Sequence, residues 1–133
     1  MNFQEQRLQT QFAVWLDSQG IAHCASLGGV NLGRRIGGIM KSKGYKRGFP
    51  DHQICEARGG WHGMFVEIKV ENTKKDQDQE RWQRELTARG YYAIKVPGEF
   101  DFWQAREFLE KEVTDYMAGR TQRGVSENKG ELR

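Results

Sequence analysis

The chain has 133 residues, of which 37% are hydrophobic and 29% charged, and a formal net charge of +3. That length suits one domain with its own core, and the composition excludes a disordered or disulfide-stapled class. No apolar run approaches the roughly 20 residues a membrane helix needs, and MNFQEQRLQTQF lacks the basic-then-apolar order of an export signal, so a cytoplasmic protein is expected.

From Phe3 to about Gln19, Leu8, Phe12, Trp15 and Leu16 follow the spacing of an amphipathic helix, which Gly20 is placed to end. Glu5 falls on the same stripe, and an acid on a core-facing stripe calls for a reason. Ile21 to Leu27 reads as a strand. Cys24 and Cys55, without CxxC or Cys/His pairing, suggest two buried small hydrophobes rather than a zinc site or a disulfide. From Gly28 to Pro50 the chain reads as a glycine-rich loop holding Arg34, Arg35, Lys41, Lys43, Lys46 and Arg47 and no acid. Such one-sided charge points to a polyanion.

His52 to Glu56 and Met64 to Val70 are strand-like, and Ala57-Arg58-Gly59-Gly60 supplies a turn, predicting a β-hairpin. Asp76 to Gln79 resembles a capping box opening a helix with Trp82 and Leu86 that stops near Gly90. Tyr91 to Val96 is a further strand, closed by Pro97-Gly98. A last helix from Asp101 lines up Phe102, Leu109, Val113, Tyr116 and Met117, and residues 119–133 form a polar, frayed tail. The order α-β-β-β-α-β-α predicts an α/β fold, a mixed sheet flanked by helices.

Three residues carry the chemistry. Asp51 starts the second strand, and Glu67 and Lys69 on the third share one side because strand side chains alternate. Their neighbours Phe65, Val66, Ile68 and Val70 are apolar, so the charges are costly unless paired or bound to metal. Asp51, Glu67 and the backbone carbonyl of Ile68 make an all-oxygen set suited to Mg²⁺ or Mn²⁺, beside which Lys69 could orient a water or stabilise developing charge. His52, next to Asp51, points to the opposite face and reads as a packing or surface residue.

Gly48-Phe49-Pro50-Asp51, then Phe65-Val66-Glu67-Ile68-Lys69, then Gln79-Glu80-Arg81-Trp82 with Leu86 and Gly90, resemble the VRR-NUC family of the PD-(D/E)xK nuclease superfamily, from about Glu5 to Val96. The resemblance implies a single restriction-endonuclease-like domain over residues 1–118. Asp51 and Glu67 would hold the metal, Lys69 would serve catalysis, Gln79 would face the site, and Glu5, ahead of Leu8-Gln9, would be the acid of the first helix. Minimal members, often phage-encoded and similar to Holliday-junction resolvases, act as homodimers. The expectation is therefore a metal-dependent endonuclease on branched DNA in a bacterial or phage-infected cell. The alternatives are a non-catalytic nucleic-acid-binding module of the same fold and a protein-interaction domain.

Overall fold

The computed structural model describes residues 1–26 and 33–124. Its elements run α1 (Phe3–Ser18), β1 (His23–Ala25), α2 (Gly33–Ser42), β2 (His52–Ile54), β3 (Met64–Glu67), α3 (Gln77–Ala88), β4 (Tyr92–Lys95) and α4 (Phe102–Met117). The strands form one sheet in the order β1-β2-β3-β4. The first two pairings are antiparallel, while β3 and β4 are parallel, as the crossover through α3 allows.

Local signals explain most of these elements. Helix α1 opens with a reciprocal capping box between Asn2 and Glu5, and α4 with one between Asp101 and Gln104. Leu8, Phe12 and Leu16 of α1 and Ala105, Leu109, Val113 and Tyr116 of α4 are buried in one core with Ile54, Met64, Val66 and Ile68. The turn between β2 and β3 closes on an Arg58–Trp61 bridge, with Gly59 and Gly60 at φ +59° and +88°. Two consecutive left-handed residues are what a tight hairpin demands, and glycine supplies them without steric cost. Alternation along β3 sends Met64 and Val66 to the α1/α4 core and Phe65 to the other side, against Phe49 and Tyr91. Phe49 also meets Trp82 of α3 edge-on, so α3 covers that second face.

The segment expected as a basic loop instead contains α2, an added helix in the order. Ile36, Ile39 and Met40 mark one face and Arg34 and Lys41 another, but none of its residues is buried. Gly37 and Gly38 lower its helix propensity, which hid it from pattern reading. Leu27, expected to end β1, lies outside the described residues, as does 125–133 of the expected tail. Gly119 to Gly124 fold back on the hairpin: Trp61 Nε1 donates to the Thr121 carbonyl (2.6 Å) and the Arg123 N–H to that of Gly59 (2.8 Å). The cysteines correct another expectation: both are exposed free thiols, because Cys24 lies on an edge strand and Cys55 just beyond the end of β2. Among the described residues no helix is long and apolar enough to cross a membrane.

The junction between the basic segment and α3 is unusually close. Gly48 has φ +83°, and a Cβ there would lie 2.5 Å from Cβ of Asp78. Arg47 adds an ion pair to Asp78 at 3.6 Å.

Candidate active site

The pairing register brings the two acids together. His52 lies opposite Val66, so one step back Asp51 lies opposite Glu67, with both side chains on the same side. β3 stops being a ladder at Glu67, although sequence reading carried it to Val70. Past that point carboxylates replace a neighbouring strand as acceptors: Ile68 N–H donates to Asp51 Oδ2 (2.8 Å) and Val70 N–H to Glu5 Oε2 (3.1 Å). Glu5 also accepts from the Asn2 N–H (3.0 Å) and the Asn72 side chain (3.1 Å), which explains an acid on the buried stripe of α1.

Glu5, Asp51, Glu67 and Lys69 are all buried, none more than 7% exposed. They line a cavity of about 260 Å³ with Ile68, Asn72, Lys74, Asp76 and Gln79. Gln79 performs two jobs from one position. Its backbone N–H donates to the Asp76 cap (3.2 Å), while its side-chain amide donates to Glu67 Oε2 (2.9 Å) instead of closing the capping box.

Burial raises the pKa of Asp51, against the lowering effect of the Ile68 N–H, the Glu67 hydrogen bond and Lys69. Glu67 is pushed up to about 10, chiefly by burial and then by the charge of Asp51 and the hydrogen bond shared with it. Two acids buried opposite each other form a site in want of positive charge. No group of three or more His, Cys, Asp or Glu side chains poised for a metal occurs among the described residues. A two-carboxylate oxygen set nonetheless fits Mg²⁺, which keeps several waters and needs few protein ligands. Asp51 and Glu67 are the residues that could hold it.

The six basic residues do not enter this cavity. Arg34, Arg35 and Lys41 lie on α2, and Lys43, Lys46 and Arg47 follow it toward Pro50, all exposed.

Behind Asp51 runs a polar chain that sequence reasoning missed. Asp17 meets His23 Nε2 (2.6 Å), His23 Nδ1 meets His52 Nε2 (2.8 Å), and Gln9 Nε2 reaches His52 Nδ1 (3.3 Å) and the Asp51 carbonyl (3.0 Å). Alternation correctly turned His52 away from the acids; it packs 1% exposed against Phe12, and burial, then His23, lower its pKa to about 4. The Ser26 N–H also donates to the Asp51 carbonyl (2.8 Å), so the backbone of Asp51 is held from two sides.

The sequence matches no protein-family model and no curated protein. A solved structure described as "VRR_NUC domain protein" is similar, with a TM-score of 0.70 and 22% identity over 93% of this chain and 96% of that one. The likeness is one of fold, and it covers the mixed four-stranded sheet together with its helices.

Proposed function

We propose that this chain is a divalent-metal-dependent endonuclease that hydrolyses DNA phosphodiester bonds. The observation that carries the reading is the meeting of the buried acids Asp51 and Glu67 with Lys69 in one cavity. The nuclease family named by the structural neighbour is consistent with it.

In this reading Asp51, Glu67 and the Ile68 carbonyl hold Mg²⁺ or Mn²⁺. The ion, when bound, polarises the phosphoryl group and acidifies water at neutral pH. Asp51 is oriented for its task by the Ile68 N–H, and Glu67 by the amide of Gln79. Lys69 orients the attacking water or stabilises charge developing on phosphate. Glu5 fixes the end of β3 through Val70 and Asn72 and adds negative charge to the site wall. The basic residues of α2 and its continuation grip the sugar-phosphate backbone, an interaction that positions without reading sequence. A branched substrate, a homodimer cutting two strands and a cytoplasmic setting complete the proposal.

The test is cleavage of linear, flapped and four-way DNA with Mg²⁺, Mn²⁺ or chelator. Cleavage in Mg²⁺ and none in chelator is expected, and Glu67→Ala should abolish it while DNA binding persists. Cleavage that survives chelation would overturn the mechanism. A parent protein that binds DNA and never cuts it would favour the binding-module alternative.

A further inference from the structure

We infer that the open edge of β1 is the surface through which two copies of this chain pair, strand against antiparallel strand, about a two-fold axis at Cys24. The inference rests on the homodimer of the proposed function and assigns its interface, which that reading leaves open.

β1 closes the sheet on one side, with only β2 beside it. Its bonds to β2 use alternate residues: the Cys55 N–H donates to the Ala22 carbonyl and the Ser26 N–H to the Asp51 carbonyl (both 2.8 Å), with Cys24 opposite Gln53 between them. His23 and Ala25 therefore turn their backbone N–H and C=O groups to the open side. Among the described residues the Ala25 carbonyl meets only the Cys24 thiol, a weak donor, at 3.3 Å. An unpaired edge is a template for another strand, and folds that stay alone guard it with charge, proline or a cover. The opposite edge is guarded: Lys95 lies on β4, and the Ala93 carbonyl accepts from the Gln83 side chain (3.1 Å). β1 is His23-Cys24-Ala25, with neither lysine nor proline, and the His23 ring is already engaged by Asp17 and His52.

A second copy fits this edge because the pattern is its own complement. With the strands antiparallel about an axis at Cys24, His23 of each faces Ala25 of the partner subunit, and the outward N–H and C=O groups of the two are exchanged. Cys24 alone meets its own counterpart, and it is exposed, small and uncharged. At such a position, between the bonded pairs, the two Cα atoms lie about 4.5 Å apart. That separation falls in the roughly 4.4–6.8 Å range that a disulfide spans. An axis of this kind stands normal to the sheet and keeps the same face of both copies on one side. Cys24 shares its face with Gln53 and, by alternation, with Asp51 and Glu67, so both cavities open on that side. With strands about 4.8 Å apart and a rise of about 3.3 Å per residue, the two acid pairs stand roughly 20–25 Å from each other. One duplex covers that span in about seven base pairs.

The experiment combines sedimentation equilibrium of the full chain with thiol cross-linking by the oxidant diamide, both in chelator. The parent should sediment as a dimer and cross-link through Cys24. Cys55→Ser should cross-link as the parent does and Cys24→Ser should not, while both remain dimers. Cys24→Glu sets like charges face to face at the axis and should raise the dimer dissociation constant by at least about tenfold. Ala25→Pro removes an outward N–H that β2 does not use, which an edge strand tolerates, and should weaken the dimer likewise. Circular dichroism of each variant checks that the fold is intact. A parent that stays monomeric would overturn the interface and the homodimer together. A dimer that cross-links only through Cys55, or that a folded Cys24→Glu variant forms as tightly as the parent, would overturn the interface and leave the homodimer. Cleavage in Mg²⁺ by a monomer would overturn the interface and leave the nuclease reading, and a dimer that cross-links through Cys24 and never cuts would do the reverse.

Discussion

Replacing Glu67 by glutamine separates what the candidate site costs the fold from what it does. Free of metal, folded Glu67 has its pKa pushed from 4.5 to about 10. Between those values the folded protein binds a proton that the unfolded chain has released, so stability falls as pH rises through that window. At pH 7 the cost depends on the gap between pH and the unfolded pKa, provided the folded value lies above 7. At about 1.4 kcal/mol per pH unit, the interval from 4.5 to 7 amounts to roughly 3 kcal/mol. Glutamine keeps an oxygen that can accept from Gln79 and has an N–H to offer Asp51, yet it does not titrate. Metal-free Glu67→Gln should therefore match the parent near pH 4.5 and exceed it by about 3 kcal/mol at pH 7, roughly 10 °C in Tm for a domain of this size. Urea or thermal unfolding followed by circular dichroism at pH 5, 7 and 9 in chelator reads the difference. Mg²⁺ should then stabilise the parent, since it binds only the folded state, and leave the variant unchanged. A parent whose stability is flat with pH, or a variant less stable than the parent at pH 9, would refute the raised pKa of Glu67.

Lys69→Met should lower the cleavage rate by about two to three orders of magnitude while leaving the midpoint of Mg²⁺-induced stabilisation in place, which a metal titration of unfolding checks. Asp51→Ala should be less stable than Asp51→Asn by about 1–3 kcal/mol, because alanine leaves the buried Ile68 N–H without its acceptor; urea unfolding of the two variants side by side tests this. Changing Arg34, Arg35 and Lys41 together to alanine should weaken DNA binding across all sequences and reduce the slope of log affinity against log salt by about one for each phosphate no longer neutralised. A slope equal to the parent's would place the phosphate grip elsewhere.

How far the sequence could be read depended on whether each signal was local. The stripes and caps of α1 and α4 are written within single segments, and the Gly59-Gly60 turn needs only its own two residues. Alternation was enough to put Glu67 and Lys69 on one side and turn His52 to the other. Helix α2 escaped because adjacent glycines outweighed a short apolar stripe. The end of β3 was misplaced because Asp51 and Glu5, 17 and 65 residues away, take over its hydrogen bonds, which no periodicity records. Gln79 had two competing readings, and its backbone serves one while its side chain serves the other. The His23–His52 hydrogen bond needed the β1–β2 register before it could be seen.

The close approach of Gly48 to Asp78 ties the basic arm to both halves of the acid pair. Phe49 and Pro50 lead straight from it to Asp51, and on the far side Asp78 precedes Gln79, whose amide holds Glu67. With no room for even a methyl group at this joint, a load placed on the arm has little slack to dissipate in. In the proposed nuclease, tension from a captured strand would reach the two carboxylates by separate routes, so that grip on the strand and spacing of the acids would vary together.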